Sequence, residues 1–299
     1  MRAHRVLSRR SLTMSAAAAL AVVTPLVACS TAGASTTAGA AAPTSASTAA
    51  ASTSAASTSA ASTGVTLPPV HAGFDYQIGG AYKPPAGVKV VSRDHSASPA
   101  AGLYNICYVN AFQAQEGAEG DWDSDLLLRD ANGKVVYDDG WDEAVLDIRT
   151  AAKRKRIAAK VDGWIDSCAS KGFQAVEPDN FDTFTRFPKL LTSNEAEAFI
   201  KLLSDHAHAK GLAIAQKNTS ELAGDHASNG LDFAVAEECG RYDECGVYTS
   251  AYGDHVIAIE YTASGLKKTC SGYGDRISVV RRDVDVSPIG SDGYLRQTC

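Results

Sequence analysis

Short apolar runs recur along this chain after Gly73, and almost every one gives way on its C-terminal side to acids, amides, a cation or a tyrosine. The runs are Asp75–Ile78, Val88–Val91, Tyr104–Val109, Ala144–Ile148, Gln174–Glu177, Leu212–Ala215, Phe233–Ala236, Val256–Glu260 and Ile277–Val280. Continuous apolar runs of this length fit strands buried on both faces, as in a parallel sheet covered by helices. Polar groups gathered at one end of each strand fit a barrel, where those ends converge on a single mouth. An open nucleotide-binding sheet would carry a Gly-rich phosphate loop after its first strand, and none is present. The expected fold is therefore α/β, a (β/α)8 TIM barrel. Nine runs exceed the eight strands of such a barrel, so one lies outside the ring, and the sequence does not say which.

One stretch shows the grammar in full. Phe173-Gln174-Ala175-Val176 is apolar and ends in Glu177-Pro178-Asp179-Asn180. Glu177 and Asp179 are two apart, so an extended chain points both carboxylates to one side. Pro178 holds Glu177 extended and removes a backbone donor, which stops the strand. Before it, Ile157, Val161, Trp164, Ile165 and Cys168 recur at helical spacing, and Lys171-Gly172 closes that helix. A second helix opens with the capping box Thr192-Ser193-Asn194-Glu195, buries Ala196, Phe199, Ile200, Leu203 and Ala207, and ends at Lys210-Gly211. The earliest connections are loop-like.

The first part of the chain is not barrel. Arg2, Arg5, Arg9 and Arg10 form a basic head, followed by an uncharged Ala-rich core from Ser11 to Ala28. This is the pattern of an export signal over residues 1–28. Ser8-Arg9-Arg10-Ser11-Leu12 is similar to a twin-arginine signal. Leu26-Val27-Ala28-Cys29 is similar to a lipobox, with Cys29 as the lipidated residue; the competing reading is ordinary cleavage near Ala32-Gly33-Ala34. Residues 29–66 are almost wholly Ala, Ser, Thr and Gly and cannot bury a core, so they read as a flexible linker. Residues 67–299 are the expected barrel domain, and the protein is expected at the cell surface as a lipoprotein or secreted.

Net charge is -6, and without the four leader arginines 24 cations face 34 acids, or -10. An acidic surface disfavours nucleic acid and suits a cationic substrate. Setting Cys29 aside leaves six of the seven cysteines, which in an exported protein suggests disulfides. Proximity suggests Cys239–Cys245 and Cys270–Cys299. Cys107 and Cys168 either pair or stay as buried thiols.

The polar strand ends supply the candidate site: Tyr76, Asp94, Tyr108, Asn110, Asp147, Arg149, Glu177, Asp179, Asn180, Lys217, Asn218, Glu237, Glu260 and Tyr261. Carboxylates, amides and aromatic rings suit a polyhydroxylated ligand. Glycoside hydrolysis needs two carboxylates flanking one bond, and Asp179 and Glu237 sit on strands two apart. Other chemistries lack anchors. There is no HExxH, and His71, His95, His206, His208, His226 and His255 are scattered, so no metal site is expected. No GxSxG elbow is present. Lys217 amid so many acids reads as an ion-pair partner or hydroxyl donor rather than a Schiff base.

Six of these segments occur in an order that resembles glycoside hydrolase family 114, the endo-α-1,4-polygalactosaminidases: Ile106-Cys107-Tyr108-Val109-Asn110-Ala111; Leu146-Asp147-Ile148-Arg149; Val176-Glu177-Pro178-Asp179-Asn180; Gly211 through Asn218; Ala236-Glu237-Glu238-Cys239 through Cys245; and Ile259-Glu260-Tyr261. The likeness runs from about Asp75 to Ile289. It implies a TIM barrel, endo-cleavage of α-1,4-linked galactosamine or N-acetylgalactosamine, and retention of configuration. It implies Asp179 as nucleophile and Glu237 as acid/base, with the two roles exchangeable and Glu177 a rival for either. On the resemblance, Tyr108, Asp147, Arg149, Glu177, Lys217, Asn218 and Glu260 would line the sugar site; Tyr76, Asp94, Asn180 and Tyr261 are expected to join them as polar strand ends, and no cofactor is expected. Ala236 and Glu238 stand where the family usually has Asn and Gln, and Phe112-Gln113-Ala114-Gln115 stands where it often has a Gly-rich turn with Tyr-Glu. These departures keep a second expectation open, a carbohydrate-binding lipoprotein of the same barrel without turnover. The expected partner is an amino-sugar polysaccharide, with membrane contact only through a lipid anchor. The protein is expected to be a monomer.

Overall fold

A computed structural model describes residues 64–299. The expected signal peptide, the lipidation site Cys29 and nearly all of the expected linker lie outside the described residues. Eight parallel strands run in chain order around the domain: β1 (Gly73–Gln77), β2 (Val88–Asp94), β3 (Tyr104–Asn110), β7 (Ala175–Asp179), β8 (Ala213–Lys217), β9 (Phe233–Glu237), β10 (Val256–Glu260) and β11 (Ser278–Arg282). A short β12 (Arg296–Gln297) adds antiparallel to β11. The missing numbers belong to a separate antiparallel sheet inserted between β3 and the first helix: β4 (Gln113–Ala114), β5 (Tyr137–Asp138) and β6 (Glu143–Val145), in the order β4-β6-β5. The apolar run Ala144–Ile148 falls in this insert. It is the ninth run, the one outside the ring.

Strand parity divides the core. Phe74, Val90, Ile106, Ala175, Ala213, Phe233 and Ile257 face inward and fill the barrel. Their neighbours Cys107, Val176, Ile214, Ala234 and Ala258 face outward against the helices. Two residues beyond the inner apolar layer, the same parity delivers Tyr76, Ser92, Tyr108, Glu177 and Lys217 to the upper end of the interior. Apolar packing already begins before the first strand, where Val65 and Leu67 lie against the inner cluster.

Connections between β1, β2 and β3 contain no helix, as the sequence suggests. Helix α1 (Ala151–Lys171) opens at Thr150, whose side chain accepts the Lys153 N–H, and ends at Gly172 with φ of 90°. Short α2 (Thr183–Arg186) follows β7. Helix α3 (Ser193–Ala209) carries the full Thr192–Glu195 capping box. The remaining helices are α4 (His226–Asn229), α5 (Cys239–Tyr242), α6 (Cys245–Tyr252) and α7 (Ala263–Tyr273).

The seam between β1 and β11 is joined by side chains. Ala72 donates its N–H to Ser278 Oγ at 3.0 Å. Arg296 on β12 donates to the Phe74 carbonyl at 2.8 Å and lies 3.2 Å from Asp75, and fully buried Arg282 lies 3.6 Å from the same carboxylate. Three disulfides form: Cys239–Cys245, Cys270–Cys299 and Cys107–Cys168. The last answers the open question over that pair, bonding strand β3 to helix α1.

Candidate active site

A buried lysine stands at the centre of the mouth. Lys217 ends β8, and its Nζ lies 3.1 Å from Asp179, 3.2 Å from Glu177 and 3.4 Å from Glu237. It also donates to the Tyr76 hydroxyl at 3.1 Å. Burial by itself lowers the lysine's proton affinity, but the three carboxylates raise it well above its ordinary range, so it is a fixed cation.

The three acids around it differ in access. Glu177 is sealed at 0% exposure, and its two oxygens accept from Tyr76 at 2.8 Å and Ser92 at 2.6 Å. Burial pushes the Glu177 carboxyl up, Lys217, Ser92 and Tyr76 oppose that rise, and the residue is the enclosed partner of Lys217. Asp179 and Glu237 keep 19% and 25% of their side-chain surface open. Only these two of the three can meet a ligand. Asp179 accepts from the Tyr108 hydroxyl at 2.6 Å and from the Asn180 backbone N–H at 2.7 Å. Burial pushes the Asp179 carboxyl up, but Lys217 and these donors together hold it below the usual carboxylate range, so it is ionised. Glu237 accepts from the Tyr261 hydroxyl and, at 3.0 Å, from Asn218 Nδ2, while Asn218 Oδ1 accepts the Glu237 N–H at 2.8 Å. Tyr76, Tyr108 and Tyr261 have pKa values raised well above normal, by burial first and by neighbouring acids second, so all three are neutral donors.

The backbone is held in an unusual form beside each of these groups. Asn180, Asn218 and Glu238 follow Asp179, Lys217 and Glu237, and their φ values are 66°, 54° and 56°. Asn tolerates this left-handed region; a glutamate there is uncommon. Strain of this kind collects where side chains must be aimed.

Other residues named from the sequence lie apart. Glu260 has the opposite parity to Ile259 and Tyr261 and points out of the barrel. It accepts from the Gly240 N–H and the Thr269 hydroxyl, each at 2.7 Å. A Cβ on Gly240 would lie 1.9 Å from that hydroxyl oxygen, so glycine is what allows the approach. Asp147 binds Arg149 at 2.8 Å and Lys153 at 2.6 Å where the insert meets α1. Asp94 caps its own turn, accepting the Ser96 N–H at 2.8 Å. Asn180 accepts from Arg186 at 2.8 Å and donates to Asn110 at 3.0 Å, just beside Asp179.

Two neighbours of the site were not among the residues read from the sequence. Ser92, the partner of Glu177, shares the inward parity of Val90. Glu143, on the inserted β6, faces the Asn110 amide and lies near Asp179. Burial pushes its carboxyl up to about 7, Asp179 and Asp138 add to the rise, and Asn110 and Arg186 oppose it. Among the described residues, the one group of His, Cys, Asp or Glu ligand atoms close enough to share a metal ion is Cys239, Cys245 and Glu260. Its two sulfurs are bonded to each other.

The sequence model of glycoside-hydrolase family GH114 matches residues 54–299. No curated protein matches the chain. Among solved structures, the chain is similar to the Aspergillus fumigatus Ega3 complex with galactosamine, with a TM-score of 0.65 and 21% identity over 78% of this chain and 97% of that one. It is also similar to the glycoside hydrolase domain of PelA from Pseudomonas aeruginosa, with a TM-score of 0.50 and 15% identity over 73% of this chain and 96% of that one. At such identities the likeness is one of fold.

Proposed function

The chain belongs to glycoside-hydrolase family GH114, and from that premise we propose that it cleaves within chains of α-1,4-linked galactosamine, free or N-acetylated, with retention of configuration. The observation that carries this reading is the pair of accessible carboxylates on either side of one buried ammonium. Distances of 3.1 and 3.4 Å to the same Nζ limit the Asp179 Oδ1–Glu237 Oε2 separation to about 6.5 Å at most. Retaining enzymes place their carboxyl groups about 5–5.5 Å apart, and inverting ones about 6.5–9.5 Å.

Asp179, ionised and held by Lys217 and Tyr108, attacks the anomeric carbon. Glu237 gives its proton to the departing glycosidic oxygen, and a glycosyl ester on Asp179 results. Glu237, now a carboxylate steadied by Tyr261 and Asn218, takes a proton from water, whose oxygen displaces Asp179 and regenerates both groups. Lys217 is the fixed charge that keeps Asp179 ionised as the negative charge redistributes. The acidic balance of the chain suits a polymer that is cationic when deacetylated. We further propose export, on the strength of the N-terminal pattern and three disulfides.

The test is product analysis by mass on α-1,4-galactosamine oligomers. Internal cleavage by the wild type supports the reading. Intact oligomers with binding retained would instead support a carbohydrate-binding protein of the same fold.

A further inference from the structure

Glu260 has no place in the mouth, yet its burial is unfavourable. It ends β10, points to the helical side and is fully buried. It forms no ion pair among the described residues; the nearby Arg241 pairs with Glu238 instead, at 2.6 Å. Its Oε2 has no hydrogen-bond partner. Burial pushes the Glu260 carboxyl up, and the Thr269 hydroxyl and the Gly240 N–H oppose the rise. Burying an acid without a cation weakens a fold. Stability alone therefore does not account for a carboxylate at this position.

What the carboxylate holds is the turn that follows Glu237. Its Oε1 accepts both the Gly240 N–H and the Thr269 hydroxyl at 2.7 Å. Glycine permits the approach on both sides: a Cβ on Gly240 would lie 2.8 Å from Oε1, and one on Gly265 would lie 2.1 Å from Oε2. Helices α5 and α7 thus close on this one group. One residue earlier on β10, the Ile259 carbonyl accepts the Glu238 N–H at 2.7 Å. One residue later, the Tyr261 hydroxyl donates to Glu237 itself. Three successive residues of β10 therefore hold Gly240, Glu238 and Glu237. Between these contacts Glu238 sits at φ of 56°, a form that a glutamate keeps only under restraint. The Cys239–Cys245 disulfide closes the same turn.

We propose that Glu260 is a positioning residue for Glu237: by holding the Gly240 N–H it fixes the turn after β9, and through that turn the direction in which Glu237 presents its proton to the departing oxygen. The inference rests on the glycosidase reading of Asp179 and Glu237. Glu260 itself does not touch the sugar. Its loss displaces Glu237, while Asp179 stays in place on β7 with Lys217, Tyr108 and the Asn180 N–H. A displacement of about 1 Å lowers a rate about a hundredfold. That loss falls only on bonds whose leaving oxygen needs a proton.

The experiment uses the full chain with two substrates. One is the α-1,4-linked galactosamine tetramer, whose leaving hydroxyl needs a proton. The other is the dinitrophenyl α-glycoside of the trimer, whose leaving group does not. The quantity read is kcat/KM, which extends only to the first bond broken. Glu260→Ala is expected to lower it about a hundredfold on the tetramer and less than about threefold on the dinitrophenyl glycoside. Glu260→Gln keeps an oxygen acceptor for Gly240 and is expected to stay within about threefold of wild type on both. An equal loss on both substrates, which is what a merely structural residue gives, or no loss in Glu260→Ala, would overturn the proposal. If Glu260→Ala does not fold, Glu260→Asp takes its place, since it keeps the charge but is one methylene too short to reach Gly240. Amide exchange separates this inference from the reading beneath it. In the variant, the Gly240 amide is expected to exchange at least about tenfold faster and the Asn180 amide at its wild-type rate, whether or not the wild type turns over. Unchanged protection of Gly240 overturns the positioning role; a wild type that cleaves neither substrate, with Gly240 exchange accelerated in the variant, overturns only the glycosidase.

Discussion

Lys217 carries the electrostatics of the site, and its removal is the most informative single change. Lys217→Met leaves buried Glu177 and Asp179 without their cation. Stripping one partner from a buried ion pair costs about 3–5 kcal/mol, so a large fall in melting temperature is expected. The sign of the activity change follows from the charge. Without the ammonium, the Asp179 carboxyl rises from its depressed value, so the acid limb of the pH–rate profile moves to higher pH. A profile whose acid limb does not move would contradict the role given to this lysine. The paired acids Glu177 and Asp179 were legible from their spacing of two, but not the division between them. Only the contacts with Tyr76 and Ser92 show that Glu177 is closed in. Parity would have gone further: Ile257 and Ile259 face in, so Tyr261 belongs to the mouth and Glu260 to the helical side. Glu143 had no such signal, because it lies in an insert whose register the sequence does not set.

At the scale of elements, the helices were legible because caps and 3.6-residue spacing agree; both Gly172 and Thr192–Glu195 stand where the sequence places a stop and a start. The ring was less so. Ala144–Ile148 has the apolar continuity of a barrel strand, and periodicity alone cannot separate the two. Its setting decides: it follows a tight hairpin rather than a helix, and it pairs antiparallel with β4 and β5. The polar residue at its end then serves the junction with α1. Burial raises the Asp147 carboxyl, but Arg149 and Lys153 draw it down to about 2. A depressed carboxylate contributes stability above its unfolded pKa and loses it as pH falls through its folded one. Wild type is therefore expected to exceed Asp147→Asn by about 2 kcal/mol near neutrality. The gap narrows below pH ~4 and vanishes near pH ~2. Denaturant melts at several pH values check this, and a gap independent of pH would contradict it.

The whole molecule is a barrel joined at one seam by Asp75, Arg282 and Arg296 and bonded elsewhere by disulfides. Cys107–Cys168 spans a sequence separation of 61, the longest of the three, and crosses the entire insert. Loop-closure entropy gives it roughly 4 kcal/mol. Replacing both cysteines by alanine is expected to lower the melting temperature by on the order of 10 °C; a shift under about 2 °C would show that α1 is held by packing alone. The frame matters because it brings strands β7, β8 and β9 side by side, so that Asp179 and Glu237 face each other across Lys217. The claim that these two carboxylates perform the chemistry is tested most directly by incubating the full chain, beside Asp179→Asn and Glu237→Gln, with partly deacetylated α-1,4-galactosamine oligomers and reading the products by mass. The account predicts internal cleavage by the wild type and at least about a hundredfold loss in each variant. Cleavage that persists in either variant would contradict it.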